Sequence, residues 1–241
     1  PAFKTHQTIL ELTLLKRFLL IYMNKLFLNG SSGKMGEAIK ILLKKNTYFK
    51  VLDEDISNAH DCIIDFSRPE ATIKLLENCK NKNLSLPIVI GTTGFSDEQL
   101  KVIKNYSELF PILLSYNLSD GIYNMKKGIK SIVQDLKVPV NCIIEDIHHI
   151  NKLDSPSGTA IDIKNYIVNL SNNFINSINI ISKREADFFG IHHVRFESDE
   201  MNINISHKAL SRNIFAQGAI NAAISLIDKK PGFYDLDAIK N

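Results

Sequence analysis

From residue 24 onward, short apolar runs alternate with segments whose apolar residues recur every three or four positions. Leu26-Phe27-Leu28 ends in a Gly/Ser cluster, and Met35, Ala38, Ile39, Leu42 and Leu43 follow at helical spacing. That pattern predicts strand, turn and helix. Further strands are expected at residues 49–52, 62–66, 87–90 and 112–114. Cys62-Ile63-Ile64-Asp65-Phe66 is almost continuously apolar, as a strand buried on both faces should be. Ser67 with Glu70, and Ser96 with Gln99, have the spacing of capping boxes that start the intervening helices. Strands and helices alternating at this interval predict a parallel sheet covered on both sides.

The rhythm changes after about residue 118. Residues 124–136 read as a helix, 140–147 as a strand and 157–170 as a turn entering a helix. Residues 178–182, 192–196 and 201–205 read as short strands, and 212–227 as a helix rich in Ala and Ile. Fewer helices between strands imply a smaller α+β unit with a more exposed sheet. The expected division is an α/β unit of residues 23–118 plus 212–241 and a second unit of residues 119–211. Residues 9–22 are apolar but interrupted by Glu11, Lys16 and Arg17, too short and too charged to span a membrane. They also lack a signal-peptide pattern. Residues 1–22 are expected to be an extension ahead of a functional chain starting at Met23, with an amphipathic anchor as the alternative.

Composition narrows the class. With 241 residues, 44% of them hydrophobic, the chain can bury a substantial core. A net charge of +3 argues against a broad nucleic-acid-binding surface. The three cysteines, Cys62, Cys79 and Cys142, have no C-x-x-C spacing. They therefore read neither as a disulfide framework nor as a zinc site, and a reducing, cytoplasmic setting follows.

Three segments carry candidate chemistry. Gly30-Ser31-Ser32-Gly33-Lys34-Met35-Gly36 lies directly between a strand and a helix, where a tight backbone turn and free helix N–H groups can receive a pyrophosphate. The G-x-x-G-x-x-G spacing also fits an ordinary glycine turn. Asp53 follows at roughly the 20-residue interval expected of a ribose-binding acid. With Glu54 and Asp55 it would repel a 2′-phosphate, favouring NADH over NADPH, unless the run is only a solvated loop. Gly91-Thr92-Thr93-Gly94 and Ser115-Tyr116-Asn117-Leu118 follow buried strands at the sheet edge where ligands bind, or serve as plain turns. In residues 145–160, His148, His149 and Lys152 can supply protons and positive charge. Ser157-Gly158-Thr159 opens a helix and can hold an anion, or simply cap the helix. His148 and His149 are adjacent and point opposite ways on a strand, and no carboxylate completes a metal triad, so no metal is expected.

These pieces resemble the 4-hydroxy-tetrahydrodipicolinate (dihydrodipicolinate) reductase family. They are the loop from Gly30 to Gly36, Ile64-Asp65-Phe66-Ser67-Arg68-Pro69-Glu70, Gly91 to Phe95, His148-His149-x-x-Lys152, and Asp154-Ser155-Pro156-Ser157-Gly158-Thr159-Ala160. His207-Lys208 and the segment from Ser211-Arg212 to Gly218-Ala219 look like the family's closing part. The resemblance implies a Rossmann-type dinucleotide-binding domain and a smaller substrate-binding and oligomerisation domain, usually assembled as a homotetramer. It implies NAD(P)H-dependent reduction of a cyclic dicarboxylate in lysine (diaminopimelate) biosynthesis. Gly30, Ser31, Ser32, Gly33, Lys34, Met35, Gly91, Thr92, Thr93, Ser115, Tyr116, Asn117 and Leu118 would contact the dinucleotide. His148 would donate and accept the proton, with Lys152 as a second donor. His149, Gly158 and Thr159, with Ser157 beside them, would bind the substrate's carboxylates.

The chain departs from that family in three places. The stretch before Cys62 is short, which bears on the ribose contact. Residues 178–190 are shortened, which bears on closure and assembly. Ile150 and Asn151 stand where basic residues are common, which would weaken carboxylate binding. Another dehydrogenase on the same fold, or a dinucleotide-binding sensor, are the competing readings.

Overall fold

A computed structural model describes residues 23–45, 48–150, 152, 154–170, 172–185 and 189–240. The expected extension, residues 1–22, and Asn151 lie outside the described residues.

The first half alternates as the apolar pattern predicts. It runs β1 (Asn24–Asn29), α1 (Lys34–Leu43), β2 (Phe49–Val51), β3 (Cys62–Asp65), α2 (Pro69–Asn81), β4 (Ile88–Ile90), α3 (Asp97–Tyr106) and β5 (Pro111–Leu114). After the second sheet the chain returns through α6 (Asn213–Leu226) to β10 (Gly232–Tyr234) and α7 (Leu236–Lys240). Six parallel strands lie in the order β10-β5-β4-β3-β1-β2. Alternate residues of these strands feed opposite cores. Ile64, Val89 and Leu113 meet α1 and the alanine-rich face of α6. Ile63, Ile88, Ile90 and Ile112 meet Leu75, Leu76 and Cys79 of α2 and Ile103 of α3. Each such fully buried side chain contributes about 1.5–3 kcal/mol. Because β2 and β3 leave β1 on opposite sides, the strand order reverses there, and a crevice opens beyond the ends of β1 and β3.

The second sheet contains β6 (Val140–His148), β7 (Ile175–Arg184), β8 (Ile191–Glu197) and β9 (Asn202–Lys208), in the order β7-β6-β8-β9. β6 and β7 are parallel and the other pairs antiparallel. Two helices, α4 (Asp120–Asp135) and α5 (Gly158–Asn169), cover one face. Cys142, Ile144, Val194 and Phe196 point into that core against Ile129, Val133, Ile163 and Ile167.

Some local expectations need correction. The helix expected from residue 124 begins at Asp120, because Ser119 caps it by accepting from the Ile122 N–H. Ser67 does not cap α2; its hydroxyl bonds Asp65 at 2.5 Å, and Arg68 and Pro69 start that helix without a side-chain cap. The strand expected at residues 178–182 runs for ten residues, and β10 was not expected at all.

Candidate active site

The first wall of the site is the turn after β1. Gly30 has φ +82°, and a Cβ there would fall on the Phe66 carbonyl. Only glycine meets both constraints without strain. Its carbonyl accepts from the Gly33 N–H at 3.0 Å, which closes the turn. α1 then begins at Lys34 with no side-chain cap, so its first N–H groups and the positive helix end are left for an anion. A dinucleotide pyrophosphate fits this cradle. Gly30, Ser31, Ser32, Gly33, Lys34 and Met35 are the residues that would hold it.

A buried carboxylate braces this wall. Asp65, at the end of β3, accepts from Asn29 Nδ2 (2.8 Å), Ser67 Oγ (2.5 Å), Thr72 Oγ1 (2.6 Å) and Thr92 Oγ1 (2.8 Å). It thereby ties the ends of β1 and β3 to α2 and to the loop after β4. Thr92 also accepts from the Ser67 N–H at 2.9 Å. The Thr92 hydroxyl is thus occupied inside the protein, whereas Gly91 lines the cleft.

The second wall is the polar end of the second sheet. β6 ends at His148, which is buried; His149, one residue on, is half-exposed, as opposite-pointing neighbours must be. Lys152 pairs with Asp154 at 2.7 Å. Burial pushes the Asp154 carboxyl up, but the hydrogen bond and charge of Lys152 outweigh it and hold it below the ordinary value. His149 is held below its ordinary value, first by burial and then by the neighbouring His148 and the charges of Arg212, Lys152 and Lys34. Cationic groups from both halves of the molecule therefore converge on one spot, the field a dianionic ligand requires.

The two walls meet in a cleft of about 360 Å³. Met35, Phe66, Gly91, Ser115, Tyr116, Asn117 and Leu118 line one side, and His148, His149, Lys152, Thr159 and Phe189 the other, with Phe215 of α6 between. Contacts cross it: Asn117 Nδ2 donates to Thr159 Oγ1 at 3.3 Å, and Thr159 Oγ1 donates to the Tyr116 carbonyl at 3.4 Å. A larger cavity of about 500 Å³ lies behind Ser115-Tyr116-Asn117, lined among others by Lys101, Lys104, Tyr123 and Tyr166. Neither histidine nor the glycine turn reaches it. The smaller cleft is where the chemistry converges.

One expected site residue is placed otherwise. Ser157 is 1% exposed; its N–H and hydroxyl both bond Asp146, at 2.8 and 2.7 Å, and its oxygen caps α5 through the Ala160 N–H. The Gly158 N–H is directed to Asp154. Thr159 is therefore the residue of this turn that lines the cleft. Asp53 is exposed just past β2 and lines a groove with Lys40 and Lys44.

The structure also adds residues. Asp146 is fully buried between His148, His192, Ser157, Ser182 and Arg184. Spacing alone could have found Asp146, since residues two apart on a strand share a face. His192 and Arg184 could not be found that way: they meet Asp146 and His148 only through cross-strand register. Asp146, His148 and His192 have ligand atoms within 4.8 Å of one another, a grouping suited to a metal ion that was not expected from spacing. Here the Arg184 guanidinium, 3.4 Å from Asp146, already supplies the positive charge such an ion would bring. Among the described residues no helix is long and apolar enough to cross a membrane.

Comparison with known proteins agrees with this architecture. The family model described as "Dihydrodipicolinate reductase, N-terminus" matches residues 46–118, and that described as "Dihydrodipicolinate reductase, C-terminus" matches residues 121–239. The 4-hydroxy-tetrahydrodipicolinate reductase of Alkaliphilus oremlandii is 34% identical over 238 residues, covering 90% of this chain and 98% of its own. That of Rickettsia rickettsii is 36% identical over 237 residues, covering 88% and 97%. A solved structure, the dipicolinate-bound dihydrodipicolinate reductase of Paenisporosarcina sp. TG-14, shares the fold with TM-score 0.65 at 20% identity, covering 88% of this chain and 97% of that one. By these matches, extending over both halves and almost the full length of its relatives, the chain belongs to the dihydrodipicolinate reductase family.

Proposed function

We propose that this protein catalyses NAD(P)H-dependent reduction of the cyclic dihydrodipicolinate-type dicarboxylate to tetrahydrodipicolinate. The observation that carries the reading is the cleft itself. An uncapped helix start behind a glycine turn stands on one wall, and His148, His149, Lys152 and Thr159 stand on the other. A nicotinamide held by the glycine turn and Met35 would supply the hydride for the ring's double bond. His148 gives the matching proton from the second wall, and Lys152 serves as the further donor. His149, Thr159 and the start of α5 orient the carboxylates, with Arg212 and Lys34 adding to the positive field. Phe66, Phe189 and Phe215 line the same cleft and exclude water from the transfer.

NADH is the preferred cofactor in this reading. Its support is the acidic run Asp53, Glu54 and Asp55, all exposed just past β2, which disfavours a 2′-phosphate. The uncovered face of the second sheet, with Ile181 exposed and Glu145, Lys183 and Arg195 forming ion pairs, is the surface through which a homotetramer would assemble. The three buried free thiols suit a cytoplasmic setting.

The test is nicotinamide oxidation, with NADH and NADPH in parallel, on substrate generated in place by the enzyme that condenses its precursors. Turnover above a no-enzyme control, faster with NADH, is expected. A folded protein that binds NADH but turns over with neither cofactor would contradict the reading and point to a sensor.

A further inference from the structure

The residue that decides how His148 works lies behind it. Asp146 precedes His148 by two positions on β6, so both side chains enter the covered face of the sheet. Asp146 Oδ1 lies 2.8 Å from His148 Nδ1 and accepts the Ser157 hydroxyl at 2.7 Å. Oδ2 accepts the Ser157 N–H at 2.8 Å and stands 3.4 Å from Arg184. His192 Nε2 is 3.4 Å from Oδ1 on the remaining side. Burial pushes the Asp146 carboxyl up, but hydrogen bonds from His148, His192 and Ser157 together outweigh it and hold the group well below the usual carboxylate range. Asp146 is therefore an anion, and an ionised carboxylate can only accept.

A carboxylate oxygen 2.8 Å from a ring nitrogen favours the proton on that nitrogen. The ring is turned so that Nδ1–H points off the direct line to Oδ1, the loose alignment from which catalytic hydrogen bonds tighten when substrate arrives. His148 lines the cleft, and Gly190 leaves room beside its opposite nitrogen, Nε2. At Gly190 φ is +143°, and a Cβ would stand 2.8 Å from Nε2.

We propose that Asp146 is a positioning residue: it fixes His148 with its proton on Nδ1 and Nε2 open to the cleft, and through Ser157 it locks the start of α5 to the same carboxylate. In the neutral ring Nε2 is an acceptor; it takes a proton from solvent and, as the imidazolium, passes it to the reduced ring while Nδ1–H stays on Asp146, so one buried group sets both the proton-transferring nitrogen and the turn that holds the substrate. The role deepens the reductase reading and rests on it for the proton's destination, but the tautomer is measurable without turnover.

The experiment is long-range 1H–15N correlation on histidine-labelled protein, with His148 assigned by its loss in His148→Gln. The neutral ring of the wild type is expected to carry its proton on Nδ1. Asp146→Asn is expected to move population to the Nε2–H form and lower kcat at least about tenfold, with KM rising less. Asp146→Glu should recover part of both. An Nε2–H ring in the wild type would overturn the proposal, as would Asp146→Asn with unchanged tautomer and kcat. If Asp146→Asn does not fold, the wild-type spectrum alone decides. A wild type with the expected tautomer but no turnover would sink the reductase reading and leave the positioning role standing.

Discussion

At the residue scale, two buried aspartates organise the cleft. Asp65 gathers four side-chain donors around the glycine turn, and Asp146 gathers the groups behind His148. Each neighbour of Asp146 therefore matters by what it leaves unpaired. Ser157→Ala removes an N-cap and one donor to Asp146 together, and is expected to lower stability by about 1–2 kcal/mol in urea unfolding. A change inside ±0.5 kcal/mol, the range usual for unconstrained surface positions, would show that this hydroxyl does little. Gly30→Ala forces a side chain onto the Phe66 carbonyl at positive φ. It should weaken NADH binding at least about tenfold in a fluorescence titration, a cost of roughly 1–3 kcal/mol; unchanged affinity would remove the turn from the nucleotide site. The glycine turn, His148 and Lys152 are visible in the sequence because their chemistry is local. Asp146, His192 and Arg184 form one cluster only after β7 and β8 align beside β6.

At the element scale, caps decide where helices begin and whether those beginnings are free to bind. α3 has a complete capping box from Ser96 and Gln99, as the spacing predicts, and that start lies outside the cleft. Ser96→Ala should therefore cost about 0.5–2 kcal/mol of stability while leaving turnover unchanged. A drop in turnover would link α3 to the site in a way the contacts do not. α1 has no such cap, and its open N–H groups are what a pyrophosphate would use. The central strands β3 and β4 were readable because each is buried on both faces and almost continuously apolar. The true length of β7 was hidden because Asn176-Ser177 and Ser182-Lys183-Arg184 put consecutive polar residues near both its ends, which breaks the alternation that marks a strand. β10 was hidden for a different reason: Gly232-Phe233-Tyr234 is too short to announce itself, and is a strand only because β5 offers an unpaired edge. Ser67 mimics a cap in the sequence, yet the charge of Asp65 two residues earlier is the stronger acceptor for its hydroxyl.

At the scale of the whole molecule, the function depends on holding a polar, histidine-rich edge between two apolar cores. That arrangement ties stability to pH. His192 is held below its ordinary value of 6.5 by burial, only partly offset by Asp146. His149 and His207 are lowered as well, each first by burial. Below about pH 6.5 the unfolded chain takes up protons that these rings resist, so their contribution is full above that value and declines as pH falls. Asp146 acts in the same direction at still lower pH, since its depressed carboxyl stabilises the fold above its ordinary value of 3.8. The urea midpoint should be lower at about pH 5 than at about pH 8, and His192→Asn should narrow the difference. Equal midpoints in the wild type would mean these histidines are not buried as described. In the proposed reaction, reduction takes place between the two walls, with His148 and Lys152 moving the proton. The most direct test is steady-state turnover of wild type, His148→Gln and Lys152→Ala on the cyclic dicarboxylate, with NADH binding measured on the same samples. In each variant kcat should fall by about 10²–10⁴-fold with NADH affinity retained. Wild-type kcat in both folded variants would contradict the proposed reaction.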